Sequence, residues 1–230
     1  MLRLAGFFVV VLLAMQVLRL VPFVGGLFAN SFVGFWLTAI LVSAVASRWA
    51  SRAVDRARIA RRRRELGAVD TPHNQGKLVS LLLAGGYARA AVAPLERAIA
   101  GEPGSAEWRY RLGLALLATG RAGEAADAFA RAVAIDEEHA YGAVQLRLAE
   151  ALEKADRPSE AHDAVARFER NHGPSPESAY RRGRALRKLG RAPEAREAFR
   201  EVGALAARSA GFQRGGARGW AARALLARVF

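Results

Sequence analysis

Two long apolar stretches open the chain before any periodic pattern begins. Residues 4–18 carry no charged side chain, residues 20–47 carry none either, and Arg19 alone separates them. The second stretch exceeds the roughly 20 residues that a helix needs to cross a bilayer. Within it, Gly25-Gly26 and Asn30-Ser31 are typical of a turn. The pattern therefore predicts a transmembrane helical hairpin with spans at about 4–24 and 29–47.

A second interpretation of these stretches stays open. It places one span at about 27–47, preceded by an interfacial or signal-like segment. A cleaved signal peptide is disfavoured, because Arg-Leu-Val-Pro follows the first apolar run in place of a small-x-small cleavage pattern. Under either interpretation, residues 1–47 are predicted to be a membrane anchor.

Arginine dominates the next segment, residues 48–71, which is predicted to be a basic juxtamembrane helix or linker. It has three acidic residues, Asp55, Glu65 and Asp70, and eight basic ones: Arg48, Arg52, Arg56, Arg58, Arg61, Arg62, Arg63 and Arg64. Basic residues this close to a span stay on the cytoplasmic side. We therefore expect an inner (cytoplasmic) membrane location with the rest of the chain facing the cytosol.

The arginine-rich segment itself has two interpretations. It could lie on anionic lipid headgroups as a helix, or it could be a solvated stretch that serves only as a topology signal. Nucleic acid is disfavoured as a partner, because no aromatic residue interleaves with Arg61–Arg64.

From residue 70 onward, one pattern of small and large apolar residues recurs four times. The alanines that mark the recurrences are 34, 36 and 34 residues apart: Ala91, Ala125, Ala161 and Ala195. Five positions before each alanine stands a residue that tolerates the left-handed backbone conformation: Gly86, Gly120, Asp156 and Gly190. Each unit is predicted to be a pair of antiparallel helices whose apolar faces are buried only by stacking.

This register resembles the tetratricopeptide repeat (TPR) family, whose period is about 34 residues. A small residue in the first helix, as at Gly113, Ala149 and Gly183, lets the second helix approach closely, and Phe129 or Phe199 fills the space between repeats. The resemblance covers residues 72–207 and implies four repeats at about 72–105, 106–139, 142–175 and 176–207.

Repeats one, three and four depart from the family pattern, and in repeat one Val79 stands at the small position. Pro94 should kink its helix or make it start late. Repeat three is two residues out of phase, which predicts a longer turn around residues 136–140. Arg182 stands where leucine is usual, so the first helix of repeat four is expected to pack less well.

The predicted fold class is all-α: an N-terminal transmembrane hairpin, then a four-repeat TPR α-solenoid with a C-terminal capping helix. The tail, residues 208–230, is punctuated by glycine and ends in a short amphipathic helix from Trp220 onward. This helix is either a cap on the stack or a docking element for a partner, and the sequence leaves both open.

Members of the TPR family hold peptides in a concave groove lined by the first helix of each repeat. Counting along those helices gives nine candidate partner-binding residues: Lys77, Tyr110, Arg111, Arg147, Tyr180, Arg181, Arg184, Arg187 and Lys188. Four of them share one register position, and a ladder of cations suits carboxylates. The arrangement resembles the carboxylate clamp of chaperone-binding members, without their asparagine partners. Tyrosine and arginine are also enriched in binding hot spots.

Composition narrows the chemistry further. The chain has no cysteine, which excludes disulfides and thiolate chemistry. The four histidines fall in different repeats or turns, with no metal-ligand spacing. The net charge of +14 is shared between residues 1–73 and residues 74–230. We therefore expect neither an enzyme nor a cofactor or metal site, and we expect a protein partner with an acidic segment.

The order of a hairpin, a basic stretch and repeats resembles the layout of inner-membrane TPR proteins of the HemY type. This resemblance concerns the layout only and implies nothing about haem. The sequence thus predicts a membrane-anchored scaffold or adaptor that recruits a protein partner into its groove. The alternative is a structural subunit of a membrane complex, whose hairpin makes the main contacts.

Overall fold

The computed structural model describes residues 71–211 and 214–229, together with residues 40, 43–50, 54, 57 and 61. The chain divides into two compact units, Met1–Arg64 and Glu65–Phe230. In the first unit, the described residues are helical. The predicted span 4–24 and most of the span 29–47 lie outside the described residues. Among the residues that are described, no helix combines the length and the apolar character needed to cross a bilayer.

In the described part of the second unit, the regular elements are α-helices, apart from a 3₁₀ conformation at Gly211. The helices, in chain order, are α1 Pro72–Ala84, α2 Ala88–Gly101, α3 Ala106–Ala118, α4 Ala122–Ile135, α5 Ala143–Lys154, α6 Pro158–His172, α7 Pro176–Lys188, α8 Ala192–Arg208 and α9 Arg214–Val229. Helices α1 to α8 form four successive hairpins, and each hairpin packs on the next. The predicted all-α repeat solenoid is confirmed.

A shared turn joins the two helices of each hairpin. The backbone takes a positive φ of 60–80° at Gly86, Gly120, Asp156 and Gly190, as the sequence predicts. The residue after the turn donates its N–H to the carbonyl of a buried leucine five residues back, at 2.8–3.0 Å. These leucines are Leu82, Leu116, Leu152 and Leu186. This pattern satisfies carbonyls that the helix end leaves without partners.

Inside the hairpins, glycine and phenylalanine fit against each other. A Cβ added at Gly113 would lie 2.6 Å from the ring of Phe129, and one added at Gly183 would lie 2.6 Å from Phe199. Both rings are almost fully buried. Each phenylalanine therefore requires a glycine opposite it, because its ring occupies the space that a side chain at the glycine position would fill.

The connection between repeats two and three is the longer turn that the spacing predicts. Residues Ala140, Tyr141 and Gly142 all have positive φ, and α5 begins directly after them. Pro94 lies in the interior of α2, which already begins at Ala88, so the helix does not start late.

The contacts of Arg182 differ from the expectation that this arginine weakens the packing of repeat four. Its guanidinium forms ion pairs with Glu169 of α6 and with Glu201 of α8. The arginine thus links the preceding repeat to the second helix of its own repeat through charge-assisted contacts, where leucine would make apolar ones.

Helix α9 packs on the last repeat. Ala224 is buried in one cluster with Leu186, Phe199 and Val202, and Trp220 packs against the edge of that cluster. The helix therefore covers apolar surface at the end of the stack.

Candidate partner-binding groove

The first helices of successive repeats, α1, α3, α5 and α7, present the candidate residues. We call their shared surface the groove face, defined by Lys77, Arg111, Arg147 and Arg181. Side chains link neighbouring helices across it: Arg111 of α3 donates to Ser80 of α1, and Arg147 of α5 donates to Glu177 of α7. These bonds join residues 31 and 30 positions apart in the chain and place them on one surface.

An ion-pair network forms the floor of this face between repeats three and four. Arg181 is 6% exposed and contacts Glu150 at 2.8 Å and Glu177 at 2.6 Å. Arg147 contacts the same two carboxylates, each at 2.6 Å. Each of the two helices, α5 and α7, thus contributes one arginine and one glutamate to the network. The opposite charges neutralise one another, and a single charge buried here without a partner would be costly.

The ionisation of Glu150 reflects these surroundings. Burial alone would raise the pKa of this carboxyl, but the positive charges of Arg181, Lys154 and Arg147 outweigh burial and lower its pKa. Glu150 is therefore a carboxylate at neutral pH, and its charge serves the repeat interface.

Further along α7, the cations are more accessible. Arg184 contacts Glu153 at 2.5 Å, and Lys188 contacts Asp156 at 2.9 Å and donates to the carbonyl of Glu153. About a third of each of these two cationic side chains is exposed to solvent. Arg187 donates to the carbonyl of Ala227 in α9, at 3.0 Å. Helix α7 carries only one carboxylate of its own, Glu177, and the carboxylates that pair with Arg184 and Lys188 come from α5 and the turn after it.

At the other end of the groove face, charge is sparser. Arg111 forms an ion pair with Glu107 and lies 5.4 Å from the ring of Trp108. Lys77 is exposed on α1. Neither cation is buried in the way that Arg181 is.

The two candidate tyrosines are held by other rings. Tyr110 lies 5.8 Å from Phe129 and 5.2 Å from His139. Tyr180 lies 5.8 Å from Phe199 and 5.4 Å from Trp220 of α9. Burial raises the pKa of Tyr110; the charge of Arg147 opposes this, and the charges of Glu107 and Glu177 add to it. Both tyrosines are half-buried, so only part of each side chain can meet a partner.

The structure adds residues that the sequence interpretation did not select. His139 in the turn before α5 lies 2.9 Å from Glu107, and Glu153 supports Arg184. Trp220 lies under Arg181, at 5.5 Å from its guanidinium. Spacing along a helix gives no signal for His139 or Trp220, because both reach the groove face from other elements.

The predicted membrane-surface arginines lie in the first unit. Arg48 and Arg61 belong to the described residues, and Arg48 lies on the helical residues 43–50. The remaining six, Arg52, Arg56, Arg58, Arg62, Arg63 and Arg64, lie outside the described residues.

Stacked helical hairpins with one helix of each hairpin on a shared face define the class of α-solenoid repeat proteins. Within that class, the family model of the tetratricopeptide repeat matches residues 77–140 and 146–210, more than half of the chain. The chain therefore belongs to the tetratricopeptide repeat family. Proteins of this family are generally non-enzymatic scaffolds for protein–protein interaction, so the predicted scaffold class is confirmed at that level.

Solved structures show the same fold. The crystal structure of MamA is similar with a TM-score of 0.57 at 20% identity, covering 66% of this chain and 89% of that chain. MamA of Desulfovibrio magneticus RS-1 gives 0.53 at 16% identity, covering 68% and 94%. A thermophilic TPR protein of Thermus thermophilus gives 0.53 at 16% identity, covering 80% and 96%. At these identities the likeness shows the fold alone. A search of curated proteins found no match.

Proposed function

We propose that this chain is a membrane-anchored TPR scaffold that holds an acidic segment of a protein partner on its groove face. The observation that carries the proposal is that Arg184 and Lys188 of α7 remain about a third exposed although each already pairs with a carboxylate. A partner's carboxylates are the complement of this charge.

The contacts that Arg184 and Lys188 already make leave capacity for a ligand. A guanidinium has five N–H donors, and an ammonium has three. Arg184 uses part of its set on Glu153, and Lys188 uses two donors on α5 and the turn after it. A partner carboxylate can therefore add to these contacts without leaving Glu153 buried and unpaired.

Arg181 has a different role in this proposal. Because it is buried and binds two glutamates, it fixes the spacing of α5 and α7 and so shapes the groove face. The residues proposed to meet the partner directly are Arg184, Lys188, Arg111 and Lys77, with Tyr180 beside them.

Membrane attachment rests on the sequence. Residues 4–18 and 20–47 lack charge, and the arginines that follow are of the kind retained on the cytoplasmic side. We therefore place the scaffold at an inner membrane with its repeats in the cytosol, where it would concentrate a cytosolic partner near the bilayer.

The test is quantitative crosslinking from membranes that contain the full chain. Replacing Arg184 and Lys188 together by glutamine should reduce recovery of the partner by about tenfold or more, because both charged contacts are lost. The matched control replaces Arg196 and Arg200 by glutamine. These two exposed arginines on α8 carry the same charge and lie on the second helix of the repeat.

A partner lost from the groove variant and kept by the control supports the proposal. Equal loss from both would indicate non-specific charge attraction and contradict it. Equal recovery from wild type and both variants would also contradict it, and would favour a structural subunit whose N-terminal hairpin makes the main contacts.

A further inference from the structure

Helix α9 occupies the place of a fifth first helix in the stack. In α7, the residues that contact the preceding repeat include Ser178, Arg181 and Lys188. In α9, the buried and partly buried residues are Ala217, Trp220, Ala221, Ala224 and Ala227. Ala217, Trp220 and Ala227 repeat the spacing of the three α7 residues. The C-terminal ends of the two helices also contact the preceding first helix at the same register position. Lys188 of α7 donates to the carbonyl of Glu153 in α5, and the carbonyl of Ala227 in α9 accepts from Arg187 in α7.

The same alignment of α9 with α7 gives a counterpart in α7 for the remaining residues of α9. Ala222 corresponds to the small residue Gly183, and Leu225 corresponds to Leu186. In each repeat, the leucine at this position is buried, with an exposed fraction of 3–4%: Leu82, Leu116, Leu152 and Leu186. Leu186 is clustered with Phe199 and Val202 of the second helix of its hairpin. Leu225 is 61% exposed. No helix within the described residues covers it.

The surface around Leu225 is strongly basic. Arg214, Arg218, Leu225 and Arg228 recur on one stripe of α9, at the i, i+4, i+11 and i+14 positions of a helix. All four side chains are exposed. The helix contains no acidic residue, so these charges have no carboxylate on their own element.

From this arrangement we infer that α9 is a docking surface for an acidic amphipathic helix of a partner protein, which takes the place of a second repeat helix over Ala222 and Leu225. Apolar side chains of the partner cover Leu225, and its carboxylates pair with Arg214, Arg218 and Arg228.

Charge complementarity selects this occupant over a second copy of the chain. An isologous contact would place the same stripe on both sides. The arginines of one α9 would then face those of the other, and like charges across an interface are repulsive. This surface is separate from the groove residues Arg184 and Lys188, so each can fail without the other.

The chain supplies a suitable probe. Helix α8 is a second repeat helix that covers Leu186, and a blocked peptide of residues 192–208 reproduces its apolar face. Replacing Arg196 and Arg200 by glutamate in that peptide makes it acidic without touching the buried positions Ala195, Phe199 and Val202. Binding of the labelled peptide to the full chain in mild detergent is measured by fluorescence anisotropy.

The expected result is that the acidic peptide binds wild type and that Leu225→Ala weakens binding by at least about tenfold, because the buried leucine side chain is lost. Arg218→Glu should weaken it further than Arg218→Gln. The matched control is Leu226→Ala. Leu226 is 64% exposed, like Leu225, but it is the next residue of the helix and faces the groove side. Its replacement should leave the affinity for the peptide unchanged.

Several results would overturn the inference. They are absence of binding, equal affinity for the acidic and the unmodified peptide, and equal effects of the Leu225 and Leu226 variants. A dimer that sedimentation detects in wild type and not in Leu225→Ala would assign the surface to a second copy instead. Loss of binding to anionic vesicles with unchanged peptide binding in Leu225→Ala would assign it to the membrane.

Discussion

At the scale of single residues, the contact between a small and an aromatic side chain sets how tightly a hairpin closes. Gly113 leaves room for the ring of Phe129, which has no exposed surface. The sequence interpretation expects a small residue at Gly113 but assigns Phe129 to the space between repeats. The structure places the ring against Gly113 within one hairpin, where a large residue in one helix requires a missing side chain in the other.

Gly113→Ala should lower the free energy of unfolding by about 1–2 kcal/mol, because the added methyl group overpacks the hairpin by more than the gain in helix propensity. The urea midpoint of the helical circular dichroism signal measures this change. Gly203→Ala is the control: Gly203 is exposed in the interior of α8 with nothing near its Cβ position, so this change should stabilise by about 0.5–1 kcal/mol. Equal responses of the two variants would contradict the packing argument.

At the scale of elements, paired charges join the first helices of repeats three and four. The sequence interpretation treats Arg147 and Arg181 as members of a cation ladder offered to a ligand. The structure pairs both with Glu150 and Glu177, so much of their charge is used between α5 and α7. Removing one charged side chain from this buried network is expected to lower the free energy of unfolding by more than the whole network contributes to it, because the remaining charges stay buried without a partner.

Glu150→Gln should destabilise the repeats by about 2 kcal/mol at pH 7, because it removes a charge from this network. The pKa of Glu150 in the folded state is below its ordinary value of 4.5, so its contribution is full above pH 4.5 and is lost as pH falls through the folded pKa. The difference between wild type and variant should therefore narrow on acidification below about pH 4.5. Urea unfolding at a series of pH values measures it.

The control for this titration is Glu194→Gln. Glu194 pairs with Arg191 where both side chains are about half exposed, and ion pairs in solvent contribute little. Its unfolding midpoint should stay close to that of wild type at every pH. A Glu150→Gln difference that is constant with pH would mean that the network is not held by the ionised carboxylate.

At the scale of the whole molecule, the two proposed surfaces give the chain a defined use. The groove face offers cations on α7 to an acidic segment, and α9 offers an exposed leucine with flanking arginines to an acidic helix. Two separate sites on one stack allow a scaffold to hold two parts of a partner at once, which raises the effective concentration of the second contact.

The absence of cysteine makes the topology directly testable, since a single introduced thiol is the only one in the chain. In spheroplasts, Ser159→Cys, at an exposed position on α6, should resist a membrane-impermeant maleimide until the cells are lysed. Leu2→Cys should behave in the same way if the N-terminal segment is a hairpin. Labelling of Leu2→Cys alone in intact spheroplasts would indicate one span, and labelling of Ser159→Cys would place the repeats outside the cytosol.

The amino-acid sequence by itself determined the repeat class and the register of its hairpins. It did so because the small position, the left-handed turn residue and the covering alanine act through local backbone geometry and through neighbours at a fixed spacing. The positions of Gly86, Gly120, Asp156 and Gly190 in the turns follow from that periodicity alone.

Only the tertiary structure decided how the charges are used. Whether Arg181 faces a ligand or two glutamates depends on which side chains of α5 lie opposite it, and spacing along α7 cannot show that. The same holds for Leu225, whose counterpart Leu186 is buried by α8 while Leu225 remains exposed. Local pattern gives each residue its place on a helix, but pairing and burial depend on which other helices pack against that place.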